Sequence, residues 1–425
     1  SLSQLVVSLA IAQGSRLPVS LAICSGNTFD GDTLKHSFES INKIAPPGPI
    51  ELIMDRIFPT PSNISYLNEQ RKIRECNWVS PLKIGLSEKA FRELVEKAYE
   101  NNSWEQLDYR AAKDIKAEKE PKLKAFETSW TLKQKIVPDL SEGESRRSKG
   151  SIKIVEIVAR CVVYHDEEKA ILEKATRKRN LEKLEKELEA FNGKLNKYNY
   201  KTIAGSTKGL ENLLGKHSKY KKFLEITLIE NDNKSVCLKW NRNEALIREE
   251  EEKFDGIFAL LTNYEKEKAS ANKLIEKYRE RNEVEMNFRD LKGILDLERV
   301  FVQKQERIDC YIFLKSLAYF VLTFLRWYAE EQKFTKTSER NIQETLGEMC
   351  IVENKIMPIE LKIYSVGNTS ELSEWVKETF ELNDPLKEIE ELNAIELAKV
   401  DKQIERWIEA QNDIKNVDNE ENRLL

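Results

Sequence analysis

Residues 278–292 read YRERNEVEMNFRDLK and combine regularly spaced polar side chains with apolar ones. They place Tyr278, Arg281, Glu285 and Lys292 at spacings of three, four and seven. On one continuous α-helix, with about 100° per residue, these side chains lie within an arc of about 60°. The apolar residues fall on a neighbouring stripe, so the helix is predicted to pack while presenting its polar face.

The polar residues of this stretch have the chemistry that phosphodiester transfer needs. A carboxylate on a packed helix can ligate Mg²⁺, which prefers hard oxygen ligands. Arginine and lysine hold phosphates, while tyrosine stacks on a base or bonds to a phosphate oxygen. The competing interpretation is an ordinary charged helix with ion pairs such as Arg281 with Glu285, since 33% of the chain is charged.

The N-terminal residues predict the order strand, strand, helix, strand. Apolar runs at 5–12 and 17–24 flank a Gly-Ser turn and predict an antiparallel hairpin. Residues 32–44 have helical spacing, and residues 50–54 form a buried-strand pattern that ends at Asp55. Because sites in open α/β sheets are built at the carboxyl ends of strands, Asp55 is a candidate site residue.

The middle of the chain, residues 103–252, has a different character and is predicted to be an insertion. It contains polar linkers and a hairpin pattern, Phe223–Ile229 with Val236–Trp240. Its helix Glu167–Phe191 is densely charged around a narrow apolar stripe and is interpreted as a solvated or coiled-coil arm. A strand pattern returns at Phe254–Thr262.

The C-terminal part begins with a strongly apolar segment. Cys310–Tyr328 is near membrane-spanning length, but Lys315 and Arg326 interrupt it, so a buried helix is predicted. The chain after Lys333 is predicted to be helical and polar, with an acidic end.

The composition restricts the function classes. The chain has 69 Lys plus Arg against 73 Asp plus Glu, so any nucleic-acid surface must be a local patch. Its six cysteines lack metal-ligand spacing, which predicts a reduced cytosolic protein without structural zinc. Because Ser1 runs straight into a strand pattern, without a basic and apolar leader, the N-terminus is interpreted as truncated.

The spacing Tyr-x2-Arg-x3-Glu-x6-Lys resembles the signature around the final acidic residue of DDE transposases in a large group of bacterial insertion sequences. Other segments resemble the family in the same order over roughly residues 1–330. These segments are Arg16–Val19 leading to Gly26–Asp30, Ile53–Arg56 followed by Asn63-Ile64, Asp255–Phe258 followed by Thr262-Asn263, and Glu306–Ile308.

The resemblance implies an α/β fold: a ribonuclease-H-like core with a mixed sheet and flanking helices, interrupted by an inserted α+β domain. The core would comprise residues 1–102 and 253–332, the insertion residues 103–252, and a helical polar C-terminal region residues 333–425. The family's catalytic set is Asp, Asp, Glu, and its first Asp lies on an opening strand that is expected to be missing before residue 5.

The resemblance implies a DNA transposase that cuts insertion-sequence ends and transfers the 3′-hydroxyl strand to target DNA. Asp55 and Glu285 are the expected ligands of two Mg²⁺ ions, with Mn²⁺ as a substitute. Tyr278, Arg281 and Lys292 are the expected DNA contacts. The expected partners are the terminal inverted repeats and target DNA, bound by a homodimer in the prokaryotic cytoplasm at the nucleoid, without a membrane.

Two details depart from the family pattern, and alternatives remain open. Asp30 and Asp32 lie beyond the hairpin, where an N-cap role is predicted in place of the first catalytic Asp. Ile57 stands where relatives usually carry Gly after Asp-Arg. The alternatives are a catalytically inactive transposase remnant that binds DNA or oligomerises, a coiled-coil scaffold, and another nuclease of the same fold.

Overall fold

The computed structural model describes residues 5–25, 28–83, 88–116, 118, 120–136, 153–231, 235–293, 304–334, 337–356, 361–381 and 385–421. The chain forms two compact units. The first contains Ser1–Ser8 and Cys24–Arg281, and the second contains Leu9–Ile23 and Asn282–Leu425. The motif residues Gly26 and Asn27 lie outside the described residues.

The strands follow the alternating and apolar runs of the sequence. They are β1 (Leu5–Ile11), β2 (Pro18–Ser25), β3 (Ile50–Ile53), β4 (Cys76–Pro81), β5 (Glu105–Gln106), β6 (Leu123–Ile136), β7 (Lys153–Asp166), β8 (Leu224–Glu230), β9 (Val236–Arg242), β10 (Ile257–Thr262), β11 (Cys350–Ile356) and β12 (Leu361–Gly367). The two hairpins predicted from the sequence, β1 with β2 and β8 with β9, are confirmed.

The helices connect these strands and continue to the end of the described chain. They are α1 (Thr33–Ile44), α2 (Pro61–Arg71), α3 (Glu88–Glu100), α4 (Ala112–Lys116), α5 (Glu167–Asn192), α6 (Ile203–Lys216), α7 (Glu244–Lys253), α8 (Ala271–Arg279), α9 (Asn282–Gly293), α10 (Gln305–Glu331), α11 (Glu339–Gly347), α12 (Glu371–Thr379) and α13 (Pro385–Glu421). Asp32 is the N-cap residue of α1, although its side chain makes no capping hydrogen bond.

The first unit is built on a mixed six-stranded sheet with the order β3-β4-β10-β7-β6-β5. Strands β3 and β4 are parallel, whereas β10 pairs antiparallel with both β4 and β7. The α/β fold class is therefore confirmed, and the mixed sheet is consistent with a ribonuclease-H-like core. Strands β5, β6 and β7 come from residues 103–252, so part of the predicted insertion belongs to the main sheet, while its domain boundaries stay a prediction.

Helices cover both faces of the sheet. Neighbouring residues of β4 and β10 point to opposite faces, so each strand contributes side chains to two hydrophobic clusters. Trp78 and Leu261 belong to one hydrophobic cluster, which includes residues of α1, α2 and α3. Val79 and Leu260 belong to the other, which includes Leu274 of α8. Because both faces of the sheet are covered, β4 and β10 are almost completely buried.

Helix α5 is packed, so the interpretation of its charged sequence as a solvated arm is wrong. Its C-terminal half buries Leu181, Leu184 and Leu188 in a separate hydrophobic cluster with β8 and β9. Ile171 and Leu172, in its N-terminal half, are exposed. The many charges on α5 concealed an apolar stripe that is wide enough for packing on one side.

The start of β10 is fixed to α5 by charge and by close backbone packing. The Arg177 guanidinium binds both carboxylate oxygens of Asp255, and both side chains are buried. Gly256 has φ +81°, and a Cβ atom there would lie 2.4 Å from the Asp166 carbonyl oxygen. Glycine is required at this position because it tolerates both the left-handed conformation and the close approach.

The second unit packs α9, α10, α11 and α12 around one hydrophobic cluster, which contains Leu291, Tyr319 and Ile342. Among the described helices, α10 is the one long and apolar enough to cross a membrane, although 33% of its most apolar window is buried. The hairpin of β11 with β12 was missed, because residues 333–425 were predicted to be helical throughout.

The first prediction concerns the buried ion pair at β10. We expect Asp255→Asn to lower the free energy of unfolding by about 3–5 kcal/mol, because a buried guanidinium loses its bidentate counter-charge and keeps the more distant Glu251 carboxylate at 3.7 Å. Denaturant unfolding measures the change. The control is Glu344→Gln in the exposed pair with Arg340, which should change stability far less. Equal effects of the two substitutions would contradict the structural role of the buried pair.

Candidate active site

Asp55 presents its carboxylate to solvent at the carboxyl end of β3. The Met54 N–H donates to the Val79 carbonyl oxygen at 2.9 Å, which continues the pairing with β4. The Ser80 hydroxyl donates to the Asp55 carbonyl oxygen at 3.1 Å. The Asp55 side chain is 58% exposed, and its Oδ1 accepts from the Arg56 N–H at 2.6 Å. The backbone of Asp55 is thus fixed while its carboxylate stays largely exposed.

The turn after Asp55 is held by Asn63, the residue that matched the family pattern downstream of Asp-Arg. Its amide donates to the carbonyl oxygens of Phe58 and Gly31, both at 2.8 Å. Ile57 does not adopt a positive φ, so the turn does not require the glycine that relatives usually carry there. The departure at Ile57 is therefore compatible with the local backbone.

Arg281 and Tyr278 lie beside Asp55 in the first unit. The Arg281 guanidinium donates to Asp55 Oδ1 at 3.3 Å. Its central carbon lies 4.9 Å from the centroid of the Tyr278 ring, which packs partly buried against the sheet. The contact with the ring restricts the freedom of the guanidinium. Three residues singled out in the sequence are thus brought together.

A second ion pair ties the strand of Asp55 to the helix of Tyr278. Lys277 on α8 binds the carboxylate of Glu51 on β3. Burial acts to raise the pKa of Glu51, but the hydrogen bond and positive charge of Lys277 outweigh it and hold that pKa below its ordinary value. Two ion pairs therefore join the end of β3 to the end of α8: Glu51 with Lys277, and Asp55 with Arg281. The residues of each pair are 226 positions apart in the sequence.

The prediction that the four signature residues share one face of a continuous helix is wrong. Helix α8 ends at Arg279, and α9 begins at Asn282. The Arg281 N–H donates to the Tyr278 carbonyl oxygen at 3.1 Å, and this bond closes a turn between the two helices. The sequence contains a signal for the break, because Asn followed three residues later by Glu is typical of a helix N-terminus.

Glu285 and Lys292 lie on α9 in the second unit. Glu285 is in the first turn, and both side chains are exposed. Seven residues correspond to about two helical turns, so Glu285 and Lys292 are on the same side of α9. A carboxylate in the first turn of a helix is also favoured by the helix dipole.

Helix α9 is anchored through a buried amide that the sequence interpretation missed. The Asn287 side chain is completely buried and faces Arg16 in the β1–β2 turn. Its Nδ2 donates to the Arg16 carbonyl oxygen at 2.8 Å, and its Oδ1 accepts from Arg16 Nε at 3.2 Å. Two reciprocal hydrogen bonds therefore fix the helix turn that follows Glu285.

Arg16 is also the centre of an ion-pair network in the second unit. Its guanidinium lies 3.3 Å from both the Asp290 and the Glu339 carboxylates. Glu339 in turn accepts from Arg326 at 2.8 Å. Burial and the nearby charge of Glu339 raise the pKa of Asp290. The contacts join residues far apart in the chain, which is why no local pattern indicated them.

The chemistry of the donor groups fits a divalent metal, although the described residues contain no cluster of three or more His, Cys, Asp or Glu that could hold one. Asp55 and Glu285 are both exposed carboxylates with hard oxygen atoms. Neither is committed to a fully buried ion pair of the Arg177–Asp255 kind. The structure leaves their assignment as metal ligands a prediction.

The comparison with known families agrees with the sequence signature. A family model described as "Transposase DDE domain" matches residues 3–321, which is well over half of the chain. The match includes Asp55, Glu285 and the whole segment between them. No curated protein matches the chain.

The second prediction tests the anchor of α9. We expect Asn287→Ala to lower the free energy of unfolding by about 1–3 kcal/mol, because the Arg16 carbonyl and Nε lose their partners in a buried site. Met286→Ala, which removes a larger but exposed side chain of the same helix, is the control and should have a smaller effect. Thermal and urea unfolding measure both. A larger loss for Met286→Ala would show that the amide is not the anchor.

Proposed function

The chain belongs to the DDE transposase family, and we propose that it cuts the ends of an insertion sequence and transfers the freed 3′-hydroxyl strand to target DNA. The family match supports the transposase function. The observation that supports the site is the convergence of Asp55, Arg281 and Tyr278 in the first unit. A strand-end carboxylate beside a stacked guanidinium combines a metal ligand with a phosphate ligand.

Asp55 and Glu285 are proposed to hold the divalent metal that this family uses. Two Mg²⁺ ions are expected, with Mn²⁺ as a substitute, because both ions prefer oxygen ligands. When bound, such a metal pair supplies activation of the attacking oxygen and stabilisation of the leaving oxygen. The assignment of Glu285 is supported by its place in the four-residue signature and by its exposure on an anchored helix.

Arg281 is proposed to exchange its contact with the Asp55 carboxylate for one with a DNA phosphate. In the structure it donates to Asp55, which balances the charge of an exposed carboxylate. A guanidinium binds phosphate with similar geometry, so DNA that enters the site can take over this partner. Lys292 is proposed to bind a phosphate as a point charge, and Tyr278 to orient Arg281 and contact DNA.

The expected partners and location follow from this function as proposals. The DNA partners are the terminal inverted repeats of the element and the target DNA. Two copies of the protein are expected in the DNA complex, because two element ends must be handled together. The protein is expected to act in the prokaryotic cytoplasm, at the nucleoid.

One observation favours a second candidate, a family member that binds DNA without cutting it. The described residues provide no three-acid cluster, and the family mechanism needs a third carboxylate. The coiled-coil scaffold interpretation loses its main support, because the buried leucines of α5 pack in a hydrophobic cluster of the first unit. Cleavage measurements distinguish the remaining candidates.

The third prediction concerns the proposed metal ligand Glu285. In this protein, Glu285→Gln should lower metal-dependent nicking of DNA with the element's ends by about 100-fold or more. DNA binding should remain, because an amide is a poor Mg²⁺ ligand but has the same size. Gel analysis of nicking and fluorescence anisotropy measure the two effects.

The matched control for Glu285 is Glu276→Gln, an exposed glutamate on the preceding helix α8. It should nick DNA at the original rate. Full activity of Glu285→Gln would exclude Glu285 as a ligand. Absence of nicking by the unsubstituted protein, with DNA binding intact, would favour the non-cutting candidate.

The fourth prediction separates the phosphate ligands from the metal ligands. Arg281→Ala and Lys292→Ala should weaken DNA binding, and each should flatten the plot of log affinity against log salt by about one unit. Titrations at several salt concentrations measure this slope. Arg340→Ala, which removes an exposed arginine of α11, should leave the slope unchanged. A slope that none of these substitutions changes would contradict phosphate binding.

A further inference from the structure

Residues 193–223 form a strongly basic segment in a chain that is acidic overall. The segment contains eight lysines and one glutamate, whereas the whole chain has a net charge of −4. All eight lysine side chains are exposed. They are Lys194, Lys197, Lys201, Lys208, Lys216, Lys219, Lys221 and Lys222. A local excess of positive charge of this size is the usual electrostatic feature of a polyanion-binding surface.

The basic segment is held in a defined conformation. Asn196 pairs with the backbone of Val236, donating to its carbonyl oxygen at 2.8 Å and accepting from its N–H at 2.7 Å. The Tyr200 ring packs on Phe191 and lies so close to Gly209 that a Cβ atom there would be 2.4 Å from the ring. The loop before α6 is therefore fixed on both α6 and β9, and its lysines have fixed attachment points.

Few of the positive charges in the basic segment are neutralised within the protein. Lys222 pairs with Glu250 at 3.3 Å, and His217 contacts Glu187 at 2.9 Å. The other lysines of the segment make no ion pair with any residue that the structure describes. Surface lysines without acidic partners repel one another. They can bind an external anion, which reduces this repulsion.

The arrangement of the lysines suits an extended anion. Helix α6 has 14 residues and is about 21 Å long, which is close to six base pairs of duplex DNA. Lys194, Lys197 and Lys201 precede the helix, whereas Lys216 and Lys219 lie at its other end. Tyr198, between the first lysines, is 89% exposed and has φ +47°. A tyrosine hydroxyl is one of the groups that bond to DNA phosphate oxygens.

We propose that the basic segment, residues 193–223, binds the phosphate backbone of duplex DNA at a site other than the one formed by Asp55, Tyr278 and Arg281. The proposal rests on the proposed function, because membership of a DNA transposase family identifies the polyanion as DNA. The contacts are to phosphates, so they increase affinity for any sequence and position the duplex without reading bases.

Charge substitution in the whole chain tests the basic segment. Two triple variants replace three lysines each by glutamine: Lys194, Lys197 and Lys201 before α6, and Lys216, Lys219 and Lys221 at and after its C-terminal end. Each variant is expected to bind a duplex of about 30 base pairs at least about 10-fold more weakly near 0.1 M salt. The magnitude of the log affinity against log salt slope should fall by about two to three.

The matched control replaces three exposed lysines outside the segment, Lys43, Lys89 and Lys97. This variant has the same net charge as the other two, so a change confined to the segment variants identifies a local surface. Circular dichroism verifies that all three variants remain folded, which is expected for exposed positions.

The outcomes separate this inference from the proposed function. If the unsubstituted chain does not bind duplex DNA, the proposed function fails. If it binds and the segment variants bind equally well, or the control variant loses as much affinity, the inference about residues 193–223 fails. If the segment variants lose affinity for anionic lipid vesicles but keep their affinity for duplex DNA, the surface has a different partner and the inference is overturned.

Discussion

The pairing of β4 with β10 is the contact on which the first unit depends. It joins Cys76–Pro81 to Ile257–Thr262, and both strands are almost completely buried. Side chains reinforce the backbone pairing: the Thr262 hydroxyl donates to the Trp78 carbonyl oxygen at 2.6 Å, and Asn263 accepts from the Trp78 N–H at 2.8 Å. The chain between these strands adds β5, β6 and β7 to the same sheet and then forms α5 to α7 with β8 and β9 before it returns at β10. Strand β3 pairs with the other edge of β4, and α8 packs against β4, so Asp55 and Arg281 come together beside this strand.

The charge distribution around Asp55 follows from this arrangement. An exposed strand-end carboxylate pays little desolvation cost, and one guanidinium at 3.3 Å balances it without burying it. The Arg177–Asp255 pair is different, because both groups are buried and held by two hydrogen bonds. An exposed pair such as Asp55 with Arg281 can exchange a partner for a metal or a phosphate at a small cost in free energy. A buried pair such as Arg177 with Asp255 cannot. Burial therefore distinguishes the candidate site from the structural ion pairs of the same chain.

Local patterns predicted the elements whose residues are close in sequence. The hairpins β1–β2 and β8–β9, the strand that ends at Asp55 and the return at β10 were predicted, because alternation, turn residues and apolar runs determine them locally. The sequence interpretation missed the break at Glu280 and Arg281, where a capping signal at Asn282 competes with continuous helical periodicity. It also missed that β6 and β7 join the main sheet, and that Arg16 contacts Asn287. Both depend on pairings between distant residues, to which neither periodicity nor composition is sensitive.

The overall charge of the chain does not describe its individual surfaces. A net charge of −4 predicted that any nucleic-acid surface must be a local patch, because a sum over the chain cannot show how charge is distributed. The lysines of residues 193–223 are separated in sequence from the acidic stretches of α7 and α13, and most have no acidic partner among the described residues. Because the Debye length is about 8 Å at physiological salt, a phosphate at these lysines is screened from acidic groups much farther away. The local charge, and not the net charge, therefore determines what such a surface can bind.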